Sequence, residues 1–528
     1  MFNRNRCLRR VAAIASISAL VAGCGVLSSD TPEDEGPIVV GTTSAPSTLD
    51  PAASWDGSWE LFRNIYQTLL SYPVGSSTPQ PDAAENCEFT DNSNRVFRCE
   101  MREGLEFSDG TPLDAKAVKH SIDRIRMINV NGGPAGLLTS LDRVQVPNER
   151  EVVFHLNQPD ATFPFVLSTP AMAIVSPKAY PADSLRKERS VVGSGPYKLQ
   201  VYEEGKRAEL VRNDKYKGYA EHKNNAVTIR YFQDSASMVK ALRDEQIDLT
   251  DRGLAAADVI KLQGKTSKEE DLQLVEGTGA DISYLVFNPK HPWVGKKAVR
   301  QAIAQIVDRG AIAHKVYKDT VDPLYSMVPK GVAGHTTGFF DDFGDPSVEK
   351  ARQILTEAGI TEPVPLTFWY TTDRYGSETA LLFKELKRQL DSSGLFKITL
   401  KSRPWKTYVT GYQKGEYPVF GRGWFPDFPD ADNYIAPFVG KQNALGTPYE
   451  ATEITQKLLP TSRRESDRGN VVKQFEEAQQ ILVDDVRLLP LWQGRQFLAV
   501  SRDISGAERS LDPSTIMTLW ELSRKTSW

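Results

Sequence analysis

Residues 421–438, GRGWFPDFPDADNYIAPF, hold five aromatic side chains, three aspartates, one arginine and three prolines. Pro426, Pro429 and Pro437 remove backbone donors and argue against a regular element running through the stretch. Two kinds of work fit such a segment. Aromatic rings give a ligand contact area at small entropic cost while a carboxylate fixes its orientation. The same residues also suit a well-packed connection between elements. Composition alone leaves both readings open.

Catalytic patterns do not appear elsewhere. Gly193-Ser194-Gly195-Pro196 lacks the spacing of a nucleophile elbow. The six histidines are scattered rather than set at ligand spacing, and no H-E-x-x-H motif occurs. No phosphate-binding glycine loop follows a strand. Asp427, Asp430 and Asp432 do not match a calcium loop, which wants alternate ligands, a glycine and a closing glutamate. Nothing here argues for an enzyme or a cofactor, and a hydrolase assembled from distant residues is the weaker alternative.

The formal charge of −4 argues against a general affinity for nucleic acid. Residues 1–10 carry four arginines and no acid, and 13 small or apolar residues, 11–23, follow. A basic start, a short apolar run and small residues before a processing site describe an export signal. The run is too short to span a membrane, which takes ~20 apolar residues. Val21-Ala22-Gly23-Cys24 resembles the bacterial lipobox, in which cleavage leaves a lipid-modified cysteine; the alternative is an ordinary signal that happens to contain Cys24. Residues 1–23 are therefore read as a signal peptide and 24–37 as the lipidated cysteine and a flexible, acidic tether. Losing residues 1–23 removes four of the 64 basic residues and leaves 60 against 68 acidic ones, a formal −8.

With Cys7 removed and Cys24 lipidated, Cys87 and Cys99 remain. They flank two short strand-like runs separated by a turn, Thr90 to Asn94. An exported protein meets an oxidising environment, so a hairpin disulfide is the expected pairing, two buried thiols the alternative.

At 528 residues the chain needs two or more lobes. Strands are expected at 38–41, 151–159, 281–289 and 488–500, and a hairpin after the 193–196 turn. Residues 228–250 read strand, helix, strand, the rhythm of an α/β lobe. An aromatic helix is expected over 54–72, and a helix capped by Thr111 with Pro112 at its first position. Another runs over 296–312, with Val299, Ala302, Ile303 and Ile306 on one face. A fourth is capped by Asp345 and leaves at Gly359.

Several short motifs follow one another in a fixed order: STLDP (47–51), FSDGTPLDAKAVKHSIDRI (107–125), GSGPYKL (193–199), ALRDEQIDL (241–249), VRQAIAQIVDR (299–309), ARQILTEAG (351–359), WKTYVTGYQKGEYPVF (405–420) and GWFPDFPDADNYI (423–435). This series, over roughly residues 38–510 and behind a lipobox, resembles the extracytoplasmic solute-binding proteins of dipeptide, oligopeptide and nickel ABC transporters. The resemblance implies an α/β, two-lobed periplasmic-binding-protein fold with a hinge and an extra subdomain in the first half. The expected division is lobe I at 38–70, 190–280 and 491–528, the extra subdomain at 71–189, and lobe II at 281–490. It also implies capture of a short peptide between the lobes, delivery to an ABC permease, attachment to the outer face of the cell membrane through the lipid, and a monomer. Non-peptide solutes, such as a nickel chelate or an oligosaccharide, are the alternative ligands.

By the same resemblance Asp427, three residues after Trp424, pairs with the ligand's α-ammonium, and Trp424, Phe425 and Phe428 supply an apolar wall. Arg422 is a candidate for the ligand carboxylate, a surface ion pair being the other reading. Trp405 opens a motif typical of the family and is either contact or core. Trp55 lies where relatives line the cleft, whereas Trp59 is expected in the core and the 193–196 turn is read as structural.

Overall fold

The computed structural model describes residues 36–53, 57–265, 272–371, 373–441 and 443–525. The expected signal peptide, Cys24, the tether up to residue 35 and Trp55 lie outside the described residues.

The chain is built around one large mixed sheet, with helices on it and a smaller sheet beside it. Among the described residues its eleven strands are β1 (Ile38–Thr42), β2 (Tyr197–Glu203), β3 (Arg207–Arg212), β4 (Ala226–Tyr231), β5 (Leu249–Thr250), β6 (Leu272–Phe287), β7 (Val321–Pro323), β8 (Val364–Tyr370), β9 (Phe396–Ser402), β10 (Val419–Trp424) and β11 (Leu488–Ser501). Their order is β9-β8-β10-β6-β11-β5-β1-β4-β3-β2, with β7 on β11. At one end β4, β1 and β5 are parallel. At the other, β9, β8 and β10 are parallel. The antiparallel pair β6 and β11, 16 and 14 residues long, joins the two ends and shifts register between Thr278 and Ile282. A long strand pair that bulges in the middle is bent and twisted at that point.

The two parallel ends are covered separately. Helices Lys297–Ile306 and Glu378–Ser392 pack against β8 and β9 in one core, with Val299, Ile303, Leu386 and Phe368 fully buried. Helix α1 (Ser58–Ile65) lies over β1 and β4 in another, with Leu61, Phe62, Ile65 and Val227 inside. A four-stranded antiparallel sheet, Ala84–Phe89, Val96–Met101, Glu151–Leu156 and Leu141–Asn148, carries a third core under helix Ala115–Ile128. Cys87 and Cys99 sit directly opposite in its first hairpin and form a disulfide.

Several helix starts differ from the sequence expectation. Pro112 is tied to Glu106 in an isolated β-bridge, so the helix begins later and Asp114 caps it, accepting from the Ala117 N–H at 2.9 Å. Ser347 rather than Asp345 caps helix Val348–Glu357, with its hydroxyl on the Lys350 N–H. The helix expected over 296–312 is two: Val307 turns extended, and Asp308 caps a second helix, Arg309–Lys315. The aromatic helix is only α1, because Tyr66 leaves it extended. Gly193 and Gly195 press on the Ile65–Tyr66 backbone, where an added Cβ would lie 2.1 Å and 2.5 Å from Ile65 atoms. That close approach makes the 193–196 turn a packing feature.

Candidate ligand-binding site

The 421–438 stretch begins as strand, not loop. β10 pairs antiparallel with β6, setting Arg422 opposite Tyr284 and Trp424 opposite Ile282. Alternation along a strand sends Arg422 and Trp424 to one face and Gly421 and Gly423 to the other. The glycines are required there. A Cβ at Gly421 would meet the Phe383 ring at 2.5 Å, and one at Gly423 would meet Tyr375 at 2.8 Å.

Past the strand the chain turns, and Asn433 holds the turn. Its Oδ1 accepts from the Asp427 N–H (2.9 Å) and from Trp424 Nε1 (3.1 Å), while its Nδ2 donates to Asp427 Oδ2 (2.8 Å). Asp427 is thereby fixed, although only 7% exposed. Its carboxyl is pushed up to about 6 by burial, which the Asn433 hydrogen bond only partly counters.

The three aspartates of the stretch are not equivalent. Arg468 grips Asp430 through two bonds, 2.8 and 3.0 Å, and Arg463 grips Asp432 through two of 2.8 Å. Such forked pairs neutralise their carboxylates. Asp427 has no cation within ion-pair distance among the described residues. A buried, oriented carboxylate with one neutral donor and no counter-charge is electrostatically incomplete.

Arg422 is incomplete in the opposite sense. It is 9% exposed, donates Nη1 to the Ala444 carbonyl at 2.7 Å, and stacks over Tyr412 (4.7 Å) and Trp405 (5.8 Å). Its Nε is buried without a hydrogen-bond partner, and it forms no ion pair among the described residues. Among the described residues the surface ion pair considered for it is absent. Trp405 opens helix Trp405–Gln413, half-buried, with its N–H on Asp373. Arg374 lies over both Trp405 (5.6 Å) and Phe425 (5.9 Å), and Phe425 is 47% exposed. Trp424 packs edge-on against Phe438.

Asn433 is the site residue that sequence reasoning missed; its only trace was its place six residues after Asp427 in the same acidic stretch. Phe428, expected in the apolar wall, instead turns away from this group. Its ring meets Phe165 at 6.0 Å and joins the core of the four-stranded sheet. A cavity of about 260 Å³ is lined by Tyr72–Ser77 and by Arg509, Leu511, Asp512, Pro513 and Thr518, and by none of residues 421–438. Among the described residues no cluster of three or more His, Cys, Asp or Glu is arranged to hold a metal, and no helix is long and apolar enough to cross a membrane.

The bridged mixed sheet thus carries Asp427 and Arg422, oppositely charged and without ion-pair partners among the described residues, beside aromatic rings. In fold the chain is similar to a substrate-binding protein of an ABC transporter, CtaP of Listeria monocytogenes, with a TM-score of 0.80 over 94% of this chain and all of the other, at 20% identity. It is also similar to the periplasmic binding protein DppA of Helicobacter pylori in complex with the peptide STSA, with a TM-score of 0.78 over 93% of this chain and 98% of that one, at 21% identity.

The chain belongs to the bacterial extracellular solute-binding proteins, family 5, whose middle-region model matches residues 78–446. Among curated relatives it is 26% identical to the probable D,D-dipeptide-binding periplasmic protein DdpA of Escherichia coli K12, over 89% of this chain and 90% of that protein. It is 25% identical to the periplasmic oligopeptide-binding protein OppA of Haemophilus influenzae, over 86% and 87%.

Proposed function

We propose that this protein is the lipid-anchored extracytoplasmic receptor of an ABC importer, and that it captures short peptides and hands them to the permease. The observation that carries the peptide reading is Asp427: a buried carboxylate, held by Asn433, that lacks the cation its two neighbouring aspartates have. A peptide's α-ammonium supplies that charge. Arg422, with a buried and unpartnered Nε, is complementary to the peptide's carboxylate, to which a guanidinium donates two parallel bonds. Trp424, Trp405 and Phe425 supply flat apolar walls in this reading. Relatives named for dipeptides and oligopeptides support the assignment.

The same reading divides the body into two lobes at 38–70, 190–280 and 491–528 against 281–490, with 71–189 as the extra subdomain and β6 and β11 as the hinge. Closure is a population shift, driven by tighter binding to the closed form. Cys24 carries the lipid, and the monomer docks singly on its permease. Native mass spectrometry of the protein purified without refolding tests the ligand class. Mixed adducts of a few hundred daltons that fragment as short peptides are expected. A single non-peptide adduct, or a bare protein that takes up only a sugar or a metal chelate, would overturn the peptide assignment.

A further inference from the structure

Strands β4, β1 and β5 run parallel, so their carboxyl ends share one edge. Tyr231 ends β4 opposite Thr42 at the end of β1, and Asp251 follows β5 directly, with its N–H on the Gly41 carbonyl at 2.8 Å. In open α/β sheets, ligands bind outside the carboxyl ends of the strands, where the first loop residues converge. Helix α1 brings Glu60 of its first turn to this edge, in an ion pair with Arg252. Arg252 also donates to the Thr515 carbonyl (2.8 Å) and hydroxyl (3.0 Å).

The charges at this edge do not balance. Glu60, Asp251 and Asp281 all feel Arg252, and no other cation acts on any of them to a comparable degree. Asp251 is 3% exposed. Its Oδ1, Oε2 of Glu60 and the Tyr231 hydroxyl are each buried without a hydrogen-bond partner, and Tyr231 feels the Glu60 charge. Buried polar atoms left unpaired are few in native proteins, and several at one edge call for a specific cause. Burial, then repulsion from Glu60, pushes Asp251 up to about 8. Buried Tyr434, which donates its hydroxyl to the Ala280 carbonyl at 2.8 Å, feels the charges of both Asp281 and Asp427.

We propose that Asp251 and Glu60, spaced by Arg252 and flanked by Tyr231, form a second cation subsite, which takes an ammonium or guanidinium of the ligand other than the one on Asp427. The preferred ligands are then peptides that carry a basic side chain as well as a free amino terminus. This rests on the peptide-receptor reading above and narrows its substrate class. Asp251 Oδ1 and Glu60 Oε2 are the acceptors, and the ligand's cation supplies the donors both lack.

Calorimetry of the purified chain with trialanine, Lys-Ala-Ala, Ala-Lys-Ala and Ala-Ala-Lys tests it. At least one lysine peptide is expected to bind about tenfold or more tighter than trialanine, the size of one charge-assisted contact. In Asp251→Asn that ratio is expected to fall to about twofold or less, and Glu60→Gln, which keeps an oxygen for Arg252, gives an independent second variant. Trialanine bound as tightly as all three lysine peptides by the unmodified protein would overturn the subsite and leave the peptide receptor standing, whether or not a variant folds. A preference unchanged in folded Asp251→Asn and Glu60→Gln would overturn it as well. Binding of none of the four would overturn the peptide reading and the subsite with it.

Discussion

At the residue scale, the proposed function turns on which carboxylates keep a proton or lack a cation. Asp427 is held at about 6, above the ordinary 3.8, first by burial. For an acid raised in the folded state, the unfolded chain deprotonates first as pH rises, so stability falls between about pH 4 and 6. The apo protein therefore carries a penalty of up to about 3 kcal/mol at pH 7.5 from this one group. Asp427→Asn is expected to melt at a higher temperature than the unmodified apo protein at pH 7.5, with the gap closing at pH 4. A variant that melts lower at both pH values would show that Asp427 serves the fold. The sequence did not distinguish this aspartate from Asp430 and Asp432 except through resemblance. Their neutralising arginines lie 38 and 31 residues further on, beyond any local pattern.

At the element scale, the periodic strands and the strand–helix–strand rhythm of 228–250 were legible, because burial on one face imposes a period that composition reveals. Helix starts were less so. Thr111 and Asp345 each stand in front of a proline in a good capping pattern, yet a tertiary bridge from Pro112 to Glu106 and the hydroxyl of Ser347 decide the real starts. The strand character of 421–424 was hidden for a related reason. Gly421 and Gly423 look like loop residues but clear space for Phe383 and Tyr375. The hairpin disulfide was legible from compartment and spacing, and it closes a separation of 12 residues. Replacing Cys87 and Cys99 together by Ser is expected to cost roughly 3 kcal/mol. Thermal unfolding under non-reducing conditions measures this, and an unchanged midpoint would deny the bridge any stabilising role.

At the scale of the whole molecule, the four-stranded sheet reaches the segment that carries the site. The Ala161 N–H donates to the Arg463 carbonyl (2.9 Å), Ser466 Oγ donates to Asn94 Oδ1 (2.8 Å), and Phe165 meets Phe428. Arg463 also neutralises Asp432, so the contact that brings the two parts together belongs to the network that leaves Asp427 unpaired. Family membership follows from a match over residues 78–446 and the fold from most of the chain, whereas the proposed ligand follows from a few charges. The most direct test of the central claim pairs one tightly bound peptide with its N-acetylated counterpart, each titrated into the unmodified protein and into Asp427→Ala. Removing the ammonium is predicted to weaken binding to the unmodified protein by about 10- to 100-fold, the worth of one buried charge-assisted bond, and to change binding to Asp427→Ala by less than about threefold. An equal loss on acetylation in both proteins would contradict the claim that Asp427 is the ammonium anchor.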